Sequence, residues 1–279
     1  MDRLYLVVPC YNEEEVLPET VRRLTDKLRR MEEKGLVSGD SRILLVDDGS
    51  RDRTWELICG FHQENPTVSG LKLSRNRGHQ NALVAGLMTA RELCDITISL
   101  DADLQDDIEV LDQFVEEYHK GAQIVYGVRS ARDTDTAFKR STAMGFYGLM
   151  KKMGVDIVSN HADYRLMSKK ALDCFSGYHE VNLFLRGIVP LIGFPTAVVT
   201  YERSERFAGE SKYPLKKMLS FAWDGITSFS TKPLSLITGV GVGVGFLSGL
   251  GFLAALICLC CKVAVAGWVW VLISVCSIT

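Results

Sequence analysis

The end of this sequence has almost no charge. After Lys232 there is no acidic residue and a single basic one, Lys262. Residues 234–261 form a run of 28 without a charge, longer than the ~20 apolar residues that span a bilayer. The run predicts a transmembrane helix. A buried core helix, the alternative, would be unusually long and would leave six glycines without a role. Glycines at 241, 245 and 249 have a spacing that lets helices pack closely in lipid, so self-association is an expectation.

A second apolar run, residues 268–279, stops after 12 residues, which is too few to cross a bilayer. We interpret it as part of a second transmembrane helix that the sequence cuts short. The N-terminus has no secretory signal, because a short strand-like run is soon followed by three glutamates at 13–15. Four lysines precede the first apolar run (Lys212, Lys216, Lys217 and Lys232), and by the positive-inside rule they place the preceding residues in the cytoplasm.

Several other features are missing, and each absence excludes a class of site. The residues before the apolar run carry 31 of the 32 basic residues and all 34 acidic ones, so there is no basic excess for a nucleic acid partner. The eight cysteines and five histidines lack metal-ligand or redox spacing, so we expect reduced, packed thiols. Near the N-terminus, the turn at 9–13, which follows the strand-like run at 4–8, is neither a dinucleotide-binding glycine motif nor a Walker loop.

The first 130 residues alternate short apolar runs with helical patterns. Strands are predicted at 4–8, 43–46, 71–73 and 96–100, and helices at 17–31, 54–63 and 81–92. This alternation predicts right-handed βαβ units and a mostly parallel sheet covered by helices. Ligands of such sheets bind beyond the carboxyl ends of the strands.

The pattern loosens after about residue 138. Helices are predicted at 138–153 and 182–192, a short extended piece at 164–167, and a strand at 196–201. Residues 213–232 mix apolar side chains with lysines, which predicts helices lying at a membrane interface. A packed helical lid is the alternative there.

Two carboxylates follow the fourth predicted strand. Asp101 and Asp103 point to the same side of an extended chain, and so does Gln105. Such hard oxygen donors suit Mg²⁺ or Mn²⁺, which take carboxylates together with substrate phosphates. This predicts a metal that holds a diphosphate. The alternative is an acidic helix N-terminus, because Asp106 and Asp107 would also favour a following helix.

Polar residues follow the second and third predicted strands as well. Asp47 or Asp48 can accept hydrogen bonds from a ribose or base, although an Asp-Gly turn explains the same residues. After the third strand, Gly78 permits a tight turn, so His79 and Gln80 can face the ligand edge. An ordinary helix entry with solvated charges is the alternative.

Here the combination becomes recognisable. Residues 8–13 (Val-Pro-Cys-Tyr-Asn-Glu), 46–50 (Val-Asp-Asp-Gly-Ser) and 101–105 (Asp-Ala-Asp-Leu-Gln) resemble the motifs of family 2 glycosyltransferases with a GT-A fold. Residues 76–80 (Asn-Arg-Gly-His-Gln), 162–167 (Ala-Asp-Tyr-Arg-Leu-Met) and 208–213 (Ala-Gly-Glu-Ser-Lys-Tyr) are similar to bacterial polyprenyl-phosphate glycosyltransferases. That group includes bactoprenol glucosyltransferases and is related to dolichol-phosphate mannose synthase. The resemblance covers nearly the whole chain, in matching order.

The resemblance implies an architecture and site residues. It implies an α/β, GT-A (Rossmann-like) catalytic domain at 1–212, interfacial helices at 213–233 and a transmembrane hairpin at 234–279. Asp101, Asp103 and Gln105 would surround Mg²⁺ or Mn²⁺. The substrate-binding set would be Pro9, Tyr11, Glu13, Asp47 or Asp48, His79, Ala102, Arg129, Arg165, Arg206 and Lys212. Cations belong in this set because two phosphates meet in one site. For Arg206 and Lys212, a solvated loop is the alternative.

Asp163 matches the family's catalytic aspartate. A lipid phosphate has a second pKa of ~6 if it behaves like a phosphorylated side chain, so it is already anionic near neutral pH. A strong base therefore adds little, and we expect Asp163 mainly to orient the nucleophile or support the sugar, with partial base character. An N-cap or a salt bridge to Arg165 is the alternative.

The resemblance implies transfer of a sugar from a nucleotide sugar, with UDP-glucose favoured, to a polyprenyl phosphate such as undecaprenyl phosphate. Transfer would invert the anomeric carbon, at the cytoplasmic face of a bacterial inner (plasma) membrane that the chain crosses more than once. A GDP-mannose-dependent enzyme is the nearest alternative. A processive polysaccharide synthase is disfavoured because the Gln-x-x-Arg-Trp motif is missing. A membrane-tethered receiver or a nonenzymatic scaffold are alternatives from other classes.

Overall fold

A computed structural model describes residues 1–130, 161–178, 185–202, 232–260 and 267. The strands are β1 (Leu4–Cys10), β2 (Arg42–Asp47), β3 (Val68–Lys72), β4 (Ile96–Ser99), β5 (Ile124–Arg129), β6 (His161–Ser168) and β7 (Thr196–Tyr201). The helices are α1 (Leu17–Glu33), α2 (Thr54–Glu64), α3 (His79–Arg91), α4 (Leu111–His119), α5 (Lys169–Phe175), α6 (Leu185–Leu191) and α7 (Lys232–Cys260), with a short 3₁₀ turn at Ile108–Val110.

All seven strands belong to one sheet, in the order β3-β2-β1-β4-β6-β5-β7. Strands β3, β2, β1 and β4 are parallel, as the βαβ alternation predicts. Strand β6 is antiparallel to both of its neighbours, β4 and β5, and β7 is parallel to β5. The predicted mostly parallel sheet is confirmed, and the short extended piece predicted at 164–167 is part of the longer strand β6.

Helices cover both faces of the sheet. Helices α1, α2 and α4 pack on one face, while α3, α5 and α6 pack on the other. Helix α3 lies very close to the parallel strands, since a Cβ placed on Gly86 would come within 2.5 Å of a methyl carbon of Val7. The first residue of α3 is His79, so the helix brings this side chain to the edge of the sheet where β1, β2 and β4 end.

The described part of the chain has one helix that is long and apolar enough to cross a membrane, at Leu234–Ala254 within α7, and its side chains are exposed. Several predictions lie outside the described residues. These are the helix at 138–153, the interfacial helices at 213–232, the second apolar run at 268–279, and Arg206 and Lys212.

Candidate active site

The site begins where the antiparallel strand β6 meets β4. Ser99 of β4 pairs with Arg165 of β6, and the same register continued by two residues brings Asp163 opposite Asp101. The Ser99 hydroxyl donates a hydrogen bond to the backbone carbonyl of Asp163, and the carbonyl of Arg165, at 3.3 Å, shares the same proton. The residues that resemble a metal ligand and a catalytic aspartate therefore meet at one point, although they are far apart in the sequence.

His79 lies between these two carboxylates. Its Nε2 is 3.6 Å from Asp101 Oδ1 and 3.6 Å from Asp163 Oδ2. Burial lowers the pKa of His79, but the contact with Asp163 and the charge of Asp101 outweigh it and raise the pKa to about 9. Burial and the neighbouring carboxylates raise the pKa of Asp101 to about 6, although the His79 charge opposes them. Near neutral pH, a positive imidazolium thus bridges two negative side chains.

Asp163 has two further cations beside it. Its Oδ1 is 3.8 Å from Arg165 Nη2 and 3.7 Å from Arg186 Nε. Burial would raise the pKa of Asp163, but His79 and the two arginines together hold it well below the ordinary value. A carboxylate surrounded by three cations stays ionised and is a weak base. The salt bridge to Arg165, weighed as an alternative role for Asp163, is therefore present in the site itself.

The loop after β4 is held from several sides. Thr20 of α1 donates a hydrogen bond of 2.7 Å to the carbonyl of Ala102, and Tyr164 of β6 donates one of 3.0 Å to the carbonyl of Asp107. Ala102 itself is buried, and its backbone carbonyl is the group that accepts the bond from Thr20. Leu104 has φ of 56°, in the left-handed region that non-glycine residues rarely adopt. These contacts hold the loop in a conformation that its own sequence does not favour.

The oxygen donors of this loop fit a divalent cation. Asp101 is partly exposed, and Asp103 is buried, with Oδ1 accepting a hydrogen bond of 3.1 Å from the backbone N–H of Gln105. Over the described ranges, no three His, Cys, Asp or Glu side chains gather as a metal site. The predicted set has two carboxylates and one amide, and such a set suits Mg²⁺ or Mn²⁺ when substrate phosphates complete the coordination. It stays a prediction.

Arg129 is held by a second acidic residue of the loop. The hydroxyl of Tyr201 donates a hydrogen bond of 2.6 Å to Asp106 Oδ1, and Arg129 lies 3.2 Å from the Tyr201 hydroxyl and 3.5 Å from Asp106. Burial and the Asp106 charge raise the pKa of Tyr201, which therefore keeps its proton. This trio connects β5 and β7 to the loop after β4, and it places Arg129 at the predicted site.

The two aspartates after β2 have different surroundings. Asp48 accepts backbone hydrogen bonds of 2.7 Å from Arg77 and 2.9 Å from Gly78, so it holds the turn that precedes His79. Gly78 has φ of 88°, which a side chain would disfavour. Asp47 accepts a hydrogen bond of 3.0 Å at Oδ1 from Ser50, and its buried Oδ2 has no hydrogen-bond partner among the described residues. Of the two, Asp47 has the unpaired oxygen, which is buried, and its contact with a nucleotide stays a prediction.

The turn after β1 lies beside them. Pro9 is the residue of β1 paired with Val46, and Tyr11 is partly buried at the strand's end. The backbone N–H of Glu13 donates 2.9 Å to Thr54 Oγ1, so α2 fixes the position of this turn. These placements agree with a nucleotide pocket at the ends of β1 and β2, which stays a prediction.

Arg186, Asp106 and Tyr201 are residues of the site that the sequence did not single out. Arg186 follows no recognisable motif, and Tyr201 is one apolar residue of a predicted strand. Asp106 could only be interpreted as a helix-capping acid. The one available signal was a charged residue within the apolar helix predicted at 182–192.

Comparison with known proteins identifies the family of this chain. Residues 5–175 match the profile of Glycosyl transferase family 2. Uncharacterized glycosyltransferase YkoT of Bacillus subtilis (strain 168) is 54% identical over 272 residues, which cover 98% of this chain and 81% of YkoT. Bactoprenol glucosyl transferase of Shigella phage SfV is 40% identical over 252 residues, covering 89% of this chain and 78% of the phage protein.

A solved structure shares the fold. Glucosyl-3-phosphoglycerate synthase from Mycobacterium tuberculosis, crystallised with Mn²⁺, uridine diphosphate and phosphoglyceric acid, has a TM-score of 0.50 and 15% identity. The match covers 79% of this chain and 75% of that one. The resemblance found in the sequence motifs is confirmed, and this chain belongs to glycosyltransferase family 2.

Proposed function

We propose that this glycosyltransferase moves a sugar from a nucleotide sugar, with UDP-glucose favoured, to a polyprenyl phosphate such as undecaprenyl phosphate. The observation that carries the proposal is the meeting of Asp101 and Asp163 on either side of His79. One carboxylate belongs to a loop suited to a diphosphate and its metal, and the other contacts Arg165 and Arg186. The relative from Shigella phage SfV, named a bactoprenol glucosyl transferase, supports a lipid acceptor.

The donor side holds the leaving group. Asp101, Asp103 and Gln105 would hold Mg²⁺ or Mn²⁺, which neutralises charge that develops on a departing diphosphate. His79 adds a positive charge beside Asp101. Because these groups are in place before the reaction, they stabilise the charge without reorganising. Asp47 and Tyr11 would bind the nucleotide at the neighbouring strand ends.

The acceptor side requires little base catalysis. A phosphate oxygen is already anionic near neutral pH, and the low pKa of Asp163 makes this carboxylate a poor proton acceptor. We infer that Asp163 orients the cations and the nucleophile around the anomeric carbon. Direct displacement by the phosphate oxygen would invert the configuration at that carbon.

The C-terminal part would bring the enzyme to its lipid. The division into a catalytic domain at 1–212, interfacial helices at 213–233 and a membrane hairpin at 234–279 belongs to this proposal. The exposed apolar helix at Leu234–Ala254 supports an anchor. Arg206 and Lys212 would meet the acceptor phosphate at the cytoplasmic face of the bacterial inner membrane. Crossing the membrane more than once remains part of the proposal.

An assay of lipid glycosylation tests the proposal. Membranes containing the full chain are incubated with undecaprenyl phosphate and labelled UDP-glucose, GDP-mannose or other nucleotide sugars, with and without a chelator. We expect labelled lipid from UDP-glucose, its loss with chelator and its return with Mg²⁺ or Mn²⁺. Asp101→Asn should abolish labelling. Asp40→Asn, which changes an exposed residue at the opposite edge of the sheet, should not.

Labelled lipid from GDP-mannose alone would show that the donor is GDP-mannose and not UDP-glucose. Transfer that survives the chelator would contradict the metal. No labelled lipid with any donor, from protein that is folded and binds no nucleotide, would favour a nonenzymatic scaffold.

A further inference from the structure

Helix α6 brings a cation to the site that no motif predicted. Arg186 Nε lies 3.7 Å from Asp163 Oδ1, and the arginine side chain is 32% exposed, so a ligand can reach it. The backbone N–H of Leu185 donates a hydrogen bond of 3.3 Å to Gln80 Oε1. This contact ties the beginning of α6 to the residue after His79, and therefore fixes Arg186 beside the reacting groups.

Asp163 separates the cations into two sides. Its Oδ2 faces His79, which also contacts Asp101 on the donor side. Its Oδ1 faces Arg186 and Arg165 instead. In the proposed reaction the nucleophile attacks from the side opposite to the leaving diphosphate. A phosphate bound by Arg186 would lie beside Asp163, at the carboxylate oxygen that does not contact His79.

The buried guanidinium of Arg165 is only partly satisfied. Arg165 and Arg186 both form ion pairs with Asp163, at 3.8 and 3.7 Å. Arg165 is 2% exposed, and within the described ranges its Nε and Nη2 have no hydrogen-bond partner. A buried donor without a hydrogen-bond partner is unfavourable. A phosphate monoester, with a charge of about −1.5 to −2 at pH 7, would bring acceptor oxygens and negative charge to these two arginines.

We propose that Arg186 binds the phosphate of the lipid acceptor, with Asp163 holding its guanidinium in position and Arg165 supplying charge beneath it. The inference rests on the proposed function, because it takes the acceptor to be a polyprenyl phosphate. The planar guanidinium presents several N–H donors to phosphate oxygens at once, which a lysine does not. Arg186 then fixes the attacking oxygen while the leaving group stays with Asp101.

Kinetics with two substitutions test this role. Arg186→Gln should raise the KM for undecaprenyl phosphate about 10- to 100-fold, the value of a charge-assisted hydrogen bond, and Arg186→Lys should raise it less. The Kd for UDP with Mn²⁺, measured by calorimetry, should stay within about twofold because the donor side is intact. Arg91→Gln is the matched control, since Arg91 is 27% exposed and 3.7 Å from Asp173 on the far end of α3. It should change neither value.

Two results would overturn the assignment. An unchanged KM for the lipid in Arg186→Gln would remove Arg186 from the acceptor site, and an equal loss of UDP affinity would place it on the donor side. Thermal unfolding of Arg186→Lys, which keeps the charge, separates either result from misfolding.

Binding of farnesyl phosphate and of inorganic phosphate distinguishes this inference from the function on which it rests. If the wild-type protein transfers no sugar to lipid, the proposed function fails, while weaker farnesyl phosphate binding by Arg186→Gln still supports the phosphate site. Equal binding by variant and wild type overturns it. Tighter binding of farnesyl phosphate than of inorganic phosphate identifies a lipid headgroup as the ligand; the reverse order argues against a lipid.

Discussion

The two halves of the sheet contribute opposite charges to one site. The parallel half, β3-β2-β1-β4, ends in acidic residues, of which Asp47, Asp101 and Asp103 lie at or just beyond its strand ends. The half that begins with β6 contributes Arg165 from that strand and Arg129 from β5. Arg186 follows from α6 on the same side. The proposed function uses this division: the metal and diphosphate would bind on the acidic side, and the acceptor phosphate on the cationic side.

Two residues depart from this division: His79 is a cation in the acidic half, and Asp163 connects the halves. It is an acidic residue in the cationic half, and every cation near it contributes to keeping it ionised. Its low pKa makes this carboxylate a poor proton acceptor, and it contacts Arg186 through Oδ1 and His79 through Oδ2. In the proposed function, the main task of Asp163 is therefore to hold neighbouring charges in place.

Removing the charge of Asp163 is the strongest test of the comparison. Asp163→Asn should lower kcat by about 10²- to 10³-fold, the range found when one preorganised electrostatic group is removed. It should also lower the free energy of unfolding by about 3 kcal/mol, because buried Arg165 loses its counter-charge. Steady-state lipid glycosylation and denaturant unfolding measure the two effects.

The matched control is Asp173→Asn, which breaks a contact of 3.7 Å between exposed Asp173 and Arg91. It should leave kcat unchanged and alter stability by less than about 0.5 kcal/mol. An Asp163→Asn enzyme that keeps near-wild-type turnover with intact nucleotide binding would contradict the role given to Asp163.

Within the parallel half, substitutions of Asp47 and Asp48 should affect different properties, namely UDP affinity and thermal stability. Asp47→Asn should weaken UDP binding about 10- to 100-fold, the value of a hydrogen bond to a charged group, with little change in melting temperature. Asp48→Asn should lower the melting temperature more, because one amide oxygen replaces two carboxylate oxygens that accept from Arg77 and Gly78. Calorimetry with UDP and thermal unfolding of both variants measure this difference. A larger loss of UDP affinity in Asp48→Asn would reverse the assignment.

The parallel half could be predicted from sequence because local patterns determine it. Alternating strands and helices place the residues after β1, β2 and β4 at one edge, so Asp47 and Asp101 follow from position alone. The other half could not. Nothing in the sequence indicates that β6 inserts antiparallel between β4 and β5, and only that register brings Asp163 opposite Asp101. The family resemblance supplied the role of Asp163, but not its neighbours.

The remaining contacts depend on long-range packing, which hydrophobic periodicity does not encode. Tyr201 follows the alternation of a strand and gives no sign that its hydroxyl reaches Asp106, 95 residues earlier. Arg186 lies in a helix whose other pattern is apolar, and its partner is set by the Leu185 contact with Gln80. The roles of both residues depend on contacts between segments that are far apart in the sequence.

A substitution at Tyr201 should have the smallest effect, because it removes a hydrogen bond between the two halves of the sheet without removing a charge. Tyr201→Phe keeps the ring that packs edge-on against Tyr164, with centroids 5.3 Å apart, and removes only the hydroxyl that holds Asp106 and Arg129. With one hydrogen bond worth about 1 kcal/mol, the Mn²⁺ concentration for half-maximal activity should rise about fivefold. The KM for the lipid should rise by less than this, because Arg186 and Asp163 are untouched and only Arg129 loses a contact. Tyr118→Phe, in α4 and partly buried, is the control and should alter neither value.

A fall in kcat at an unchanged metal requirement would contradict this role of Tyr201. A loop displaced at Asp106 must first affect the predicted metal ligands Asp101 and Asp103. Such a result would therefore mean that Tyr201, Asp106 and Arg129 affect the reaction in some other way.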